Sequence, residues 1–160
     1  ALDCHPADIT WKAGVDVLSF GATKNGALAV DAIILFDPEL RRHTEKSRKR
    51  GGHLFSKHRY LAAQLLAYLK DDLWLRNAQH ANTAAKALQQ SLEALGAKAA
   101  FPPEGNELFI HMNDDLAASL RNAGIVFRPW ASIGPDAHRF VCAWNSPIEL
   151  ISDLPHAISG

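Results

Sequence analysis

The sequence predicts an α/β segment followed by a small α+β domain, and three observations carry that reading. Two short apolar runs, Val15 to Leu18 and Ala27 to Phe36, flank a turn of small residues. Two stretches with apolar residues at helical spacing then fill the middle of the chain. The last third alternates short β-type runs with Gly- and Pro-containing turns and short helical patterns. At 160 residues the chain can bury a core as one domain or somewhat more.

In order, Val15-Asp16-Val17-Leu18 reads as a strand leading into Ser19-Phe20-Gly21-Ala22-Thr23-Lys24-Asn25-Gly26. Ala27 to Phe36 is rich in β-branched residues and too short for a helix, so it reads as a second, buried strand. Asp37 is suited to cap a helix and Pro38 to its first turn, which predicts a helix from Glu39 to about Arg50. Gly51-Gly52 ends it. Leu61, Leu65 and Leu69, with Tyr68, share one face of a second helix running to about Lys70. A third runs from Trp74 to Leu95, with Leu88, Leu92 and Leu95 as its buried stripe and Gly96 as its stop. Ala99–Phe101 and Leu108–Met112 read as strands around the turn Pro102-Pro103-Glu104-Gly105-Asn106. Asp114–Ala123 is a short helix ending at Gly124. Ile125–Trp130 and Arg139–Trp144 form a hairpin around Ser132-Ile133-Gly134-Pro135-Asp136, and a final helix starts near Pro147. The expected division is 1–72, a linking helix 73–98, and a small domain 99–160, in which Trp130 and Trp144 are packing residues.

Charge is balanced, 17 basic against 17 acidic residues, so nothing global steers the chain to nucleic acid or an anionic membrane. No apolar stretch approaches the roughly 18 residues of a membrane span. Residues 1–15 lack the basic start and apolar run of a signal peptide. The opening Ala1-Leu2-Asp3-Cys4-His5-Pro6 reads as a start in mid-domain. Cys4 and Cys142 lack CxxC spacing, which predicts two free thiols and a cytoplasmic location. Eight histidines are present, but no pair has metal-ligand helix spacing beside a carboxylate, so no metal is expected.

Three features carry chemistry. Lys24, at the tip of a turn after a strand, is either a solvated loop residue or an amine presented to a carbonyl-bearing cofactor. Arg139, near the start of a strand, is either a surface ion-pair partner or a fork for a carboxylate. Arg41, Arg42, Lys46, Arg48, Lys49, Arg50, Lys57 and Arg59 gather eight of the 17 basic residues into 19 positions. They form either a solvated helix face or an anion site, with Gly51-Gly52 letting backbone approach a ligand and His53 nearby.

Taken together, Trp11 to Gly26, the stretch Arg48-Lys49-Arg50-Gly51-Gly52-His53-Leu54-Phe55-Ser56-Lys57, and Arg139-Phe140-Val141-Cys142-Ala143-Trp144 resemble the C-terminal part of the bacterial low-specificity L-threonine aldolases. That family implies a pyridoxal-phosphate fold-type I (aspartate-aminotransferase-like) large domain, here only its C-terminal part and half of a parallel sheet with exposed edges, followed by a small α+β domain. It implies a carbon–carbon lyase that cleaves L-threonine, L-allo-threonine and related β-hydroxy-α-amino acids to glycine and an aldehyde. The cofactor would be pyridoxal 5'-phosphate, and the assembly a homodimer or homotetramer.

By this resemblance Lys24 is the residue that links covalently to the cofactor. Thr23 and Ser19 supply hydroxyls near the phosphate or cap the turn locally. Lys49 and Lys57 are candidates for the phosphate, and Arg139 grips the substrate carboxylate. The phosphate cradle, a ring-stacking histidine and the aspartate that pairs with the ring nitrogen belong to the family's other portion. The 160 residues alone are therefore expected to bind cofactor poorly and turn over little or nothing. Two alternatives stand beside this reading: another fold-type I lyase or aminotransferase, and a non-catalytic remnant or partner subunit.

Overall fold

The computed structural model describes residues 3–54 and 56–159. Phe55, part of one family-like stretch, lies outside the described residues, as do Ala1, Leu2 and Gly160. The chain divides into two compact units, one ending at Trp74 and one beginning at Leu75.

In the first unit, strand β1 (Val17–Gly21) pairs with β2 (Asp31–Leu35). The ladder is antiparallel, running from Val17↔Leu35 to Gly21↔Asp31, which corrects the expectation of parallel pairing among these strands. The second strand is shorter than Ala27–Phe36 and is not buried within its unit: Ile33 is 56% exposed. Its missing first half is used in the turn instead, where Val30 O accepts from Ala22 N and Ala22 O accepts from Ala27 N.

Asp37 caps as expected, accepting from Glu39 N at 2.9 Å, and a short 3-10 turn leads into helix α1 (Arg41–Arg50). Helix α2 (His58–Leu69) buries Tyr68 and turns Leu61 and Leu65 inward. Leu69, expected on that stripe, is exposed, because the helix ends there. Asp71 and Asp72, both at positive φ, break the chain before α3 (Leu73–Ala94). The small core consists of Ala22, Val30 and Tyr68, flanked by Phe20, Ala27, Leu61, Leu65 and Trp74.

The second unit is a four-stranded antiparallel sheet in the order β3 (Lys98–Ala99), β4 (Glu107–His111), β6 (Ala137–Val141), β5 (Arg128–Pro129). Both predicted pairings are present, with β4–β6 joining them. The Ile125–Trp130 strand shrinks to two residues. Ile125 N closes the end of helix α4 (Asp114–Asn122) by donating to Leu120 O, and the Phe127 ring stacks on Phe140 at 4.7 Å. β6 stops before Trp144 because Asn106 takes both backbone groups of Cys142: its carbonyl accepts from Cys142 N and its Nδ2 donates to Cys142 O.

Leu108, Ile110 and Phe140 point from the sheet into a core shared with Ala84, Ala85, Leu88 and Leu92 of α3, Ala117 and Leu120 of α4, and Leu154 of helix α5 (Ile148–Ser159). Leu95 packs against this core as expected. Trp130 and Trp144, expected as packing residues, are 38% and 41% exposed. Both cysteines are free, Cys4 exposed and Cys142 buried. Burial pushes the Cys142 thiol pKa up.

Helix α5 contains Pro155, which has no N–H to donate to the carbonyl of Ile151 four residues earlier. That carbonyl is satisfied from another helix: Ser91 Oγ, on α3, donates to Ile151 O at 2.7 Å. Ser91 is only 5% exposed, so its hydroxyl and the proline form a matched pair. Ser91→Ala is expected to destabilise the second unit by about 1–3 kcal/mol. In a Pro155→Ala background, where an N–H is restored, the same change should cost measurably less. Urea unfolding of the four members of this double-mutant cycle checks it.

Candidate functional site

The lysine turn is built on the first unit's aromatic core. β1 delivers Phe20 edge-on to Trp74 at 5.5 Å and near Tyr68 at 6.1 Å, and Ala22 is wholly buried. Thr23–Asn25 then form one 3-10 turn. Gly26, at φ 110°, occupies a backbone conformation that L side chains rarely adopt, which lets the chain reverse there. The turn is pinned by Asn25, whose Nδ2 donates to Tyr68 Oη at 2.6 Å and to the Trp74 carbonyl at 2.9 Å. Sequence reasoning gave Asn25 no role. Its partners lie 43 and 49 residues away, and no local pattern signals such a bond.

On this platform Lys24 is exposed, and its amine has no hydrogen bond or ion pair with the described residues. Thr23 has a local structural role, since its Oγ1 accepts from Val30 N at 3.2 Å. As acceptor in that bond, the hydroxyl keeps its own proton free to donate. Ser19 is exposed on β1, in register with Ile33.

The basic cluster lies on an exposed helix. α1 buries no residue, and Lys49 sits in its last turn. Lys57 is exposed at the cap position before α2. Gly51-Gly52 ends the helix, as the sequence indicates. Gly52, at φ 73°, ends α1, with Gly52 N donating to Lys49 O and His53 N to Arg48 O. His53 O is in turn bonded to His58 Nε2 at 2.6 Å.

In the second unit, alternation along β4 and β6 puts Glu107, Phe109, His111, Arg139 and Val141 on the face opposite the helical core. Arg139 is one-third exposed and forms an ion pair with Glu107. Its guanidinium lies over the Trp130 ring at 5.5 Å, and Trp130 packs on Phe109 at 5.7 Å. At the far end of this face His111 Nδ1 hydrogen-bonds Asp136 Oδ1 at 2.9 Å, which holds the Asp136 carboxyl below the usual carboxylate range. Among the described residues no group of three or more His, Cys, Asp or Glu side chains could hold a metal ion. No described helix is long and apolar enough to cross a membrane.

The first unit thus presents a lysine on a pinned turn, and the second an arginine on its open sheet face. The beta-eliminating lyase family profile matches residues 1–115, and the chain belongs to that family. It is 40% identical over 158 residues to a low specificity L-threonine aldolase of Pseudomonas aeruginosa, covering 98% of this chain and 45% of that protein. A second low specificity L-threonine aldolase, from a Pseudomonas species, is 39% identical over 154 residues, covering 96% of this chain and 44% of the relative. Among solved structures, a threonine aldolase of Leishmania major matches with a TM-score of 0.83 at 26% identity, over 98% of this chain and 46% of its own. The chain thus spans just under half the length of these relatives.

The geometry of the turn gives a ranked expectation. Asn25→Ala, which removes both anchoring bonds, should destabilise the turn by about 1–3 kcal/mol, and Tyr68→Phe, which removes one, by about 1 kcal/mol. Amide hydrogen exchange at Thr23 to Gly26 reads both changes, with the larger acceleration expected in the asparagine variant.

Proposed function

We propose that these residues serve a pyridoxal-phosphate-dependent threonine aldolase, cleaving L-threonine, L-allo-threonine and related β-hydroxy-α-amino acids to glycine and an aldehyde as part of a longer chain. The observation that carries the reading is Lys24. In a chain about 40% identical to such enzymes over nearly its whole length, a pinned turn presents an exposed amine that no described side chain engages.

The donor set suits the group. Lys24 offers an amine for covalent attachment, Thr23 a hydroxyl proton for a phosphate oxygen, and Lys49 and Lys57 exposed cations for an anion. When bound, pyridoxal phosphate supplies the electron sink for breaking the Cα–Cβ bond of an amino acid. The chain's own contribution is positioning. The Arg139 fork grips the substrate carboxylate and fixes the amino acid's orientation. Lys24 takes and returns protons at its Nζ.

On this reading residues 1–72 are the C-terminal part of the cofactor-binding domain, 73–98 the linking helix and 99–160 the small domain. The enzyme would act in the cytoplasm as a homodimer or homotetramer, without nucleic-acid or membrane partners. Exposed Val17 and Ile33 on the β1–β2 pair support the further proposal that the 160 residues alone turn over little.

The test is reduction of the purified chain with borohydride after incubation with pyridoxal phosphate, followed by peptide mass mapping. Before reduction, a protein-linked absorbance band at roughly 410–430 nm that Lys24→Ala abolishes is expected, and after reduction, label concentrated on the Lys24 peptide. Label spread evenly over the exposed lysines would overturn it. Glycine release from threonine is expected only when the remaining length of the relatives is supplied.

A further inference from the structure

Arg139 is held on two sides. Its Nε donates to Glu107 Oε1 at 2.9 Å, and its Nη2 donates to the same oxygen. The indole of Trp130 lies against the guanidinium. A guanidinium has five N–H donors in one plane. Glu107 takes one from Nε and one from Nη2, which leaves both Nη1 protons and one Nη2 proton. Those free protons include the pair along the Nη1/Nη2 edge, the edge that meets a carboxylate in bidentate fashion.

Glu107 stands directly opposite Val141 and Arg139 opposite Phe109, so the two charged residues are diagonal neighbours on one sheet face. Arg128 stands in register with Arg139 on its other side and forms no ion pair with the described residues. At this end of the face Glu107 stands beside two guanidinium groups, while Asp136 is bonded to His111 at the far end.

We propose that Glu107 is a positioning residue for Arg139: it fixes the guanidinium plane, with Trp130 backing it, so that the terminal edge stands ready for a ligand carboxylate. The inference rests on the reading of Arg139 as the carboxylate-binding residue. The opposing possibility is that Glu107 competes with the ligand for Arg139, and the two differ in sign. An anchored fork loses less side-chain freedom when a carboxylate docks, so removing the anchor weakens binding. A competitor's removal strengthens it.

The experiment titrates the ¹⁵N-labelled 160-residue chain with N-acetylglycine, with N-acetylglycinamide as the control lacking a carboxylate, and follows the Arg139 Nε–H signal. Glu107→Gln keeps the accepting oxygen and should bind within about twofold of the parent. Glu107→Ala should weaken binding about three- to tenfold, and the Nε–H should lose its hydrogen-bonded shift while the backbone amides of β4 and β6 keep theirs. Tighter binding by Glu107→Ala, or equal binding by Ala, Gln and the parent, overturns the positioning role and leaves the function reading intact. An Arg139 signal that responds no differently to the acid and the amide overturns the carboxylate role itself, and the inference with it. Cofactor attachment at Lys24 is measured separately, so the two failures are told apart.

Discussion

A sheet covered on one face sorts its side chains by parity, and the second unit follows from that constraint. Helices α3, α4 and α5 cover the side to which Leu108, Ile110 and Phe140 point. Every second residue of β4 and β6 is then left on the other side. Glu107, Phe109 and Arg139 share a face because of this arithmetic, and a slip of one residue in the β4–β6 register would bury the ion pair and expose the core. Asn106, bonded to both backbone groups of Cys142, stands at the end of that ladder and helps fix the register.

The first unit solves a different problem, holding a short turn still without a large core. Ala22, Val30 and Tyr68 form the buried cluster behind the turn, too little apolar area to hold a loop by packing alone. Directional bonds take over. Asn25 ties the turn to α2 and to the start of α3, and Thr23 ties it to Val30. The side chain between those two anchors is Lys24, so the fixed neighbours carry the structure and the lysine stays unencumbered.

Much of this order was legible in the sequence, for identifiable reasons. The Asp37-Pro38 start and the Gly96 and Gly124 stops are local signals, and the elements they bound lie close to where those signals put them. What failed was set by bonds that composition does not show. The Ala27–Phe36 run looked like one buried strand because composition cannot show that Val30 is drawn into the lysine turn. Gly51-Gly52 ends α1 as the sequence indicates. The final helix expected near Pro147 forms, and the carbonyl that Pro155 leaves without a helical donor is met by Ser91. Around the candidate site, Lys24 and Arg139 stood out by residue type. Asn25 and Glu107 did not, because their importance lies in bonds spanning 43 and 32 residues.

The two candidate cations are treated in opposite ways, and their chemistry explains the difference. An amine that is to bond covalently must shed its proton, and a carboxylate beside it would favour the charged form. Lys24 has no carboxylate partner among the described residues. A guanidinium stays charged whatever its surroundings and has donors to spare. Pairing Arg139 with Glu107 therefore costs it no function in the proposed reading and removes rotamer freedom that would otherwise be lost on binding. A lysine at position 139 could not serve both purposes, since a single ammonium lacks the planar edges that let one carboxylate hold the group while another docks.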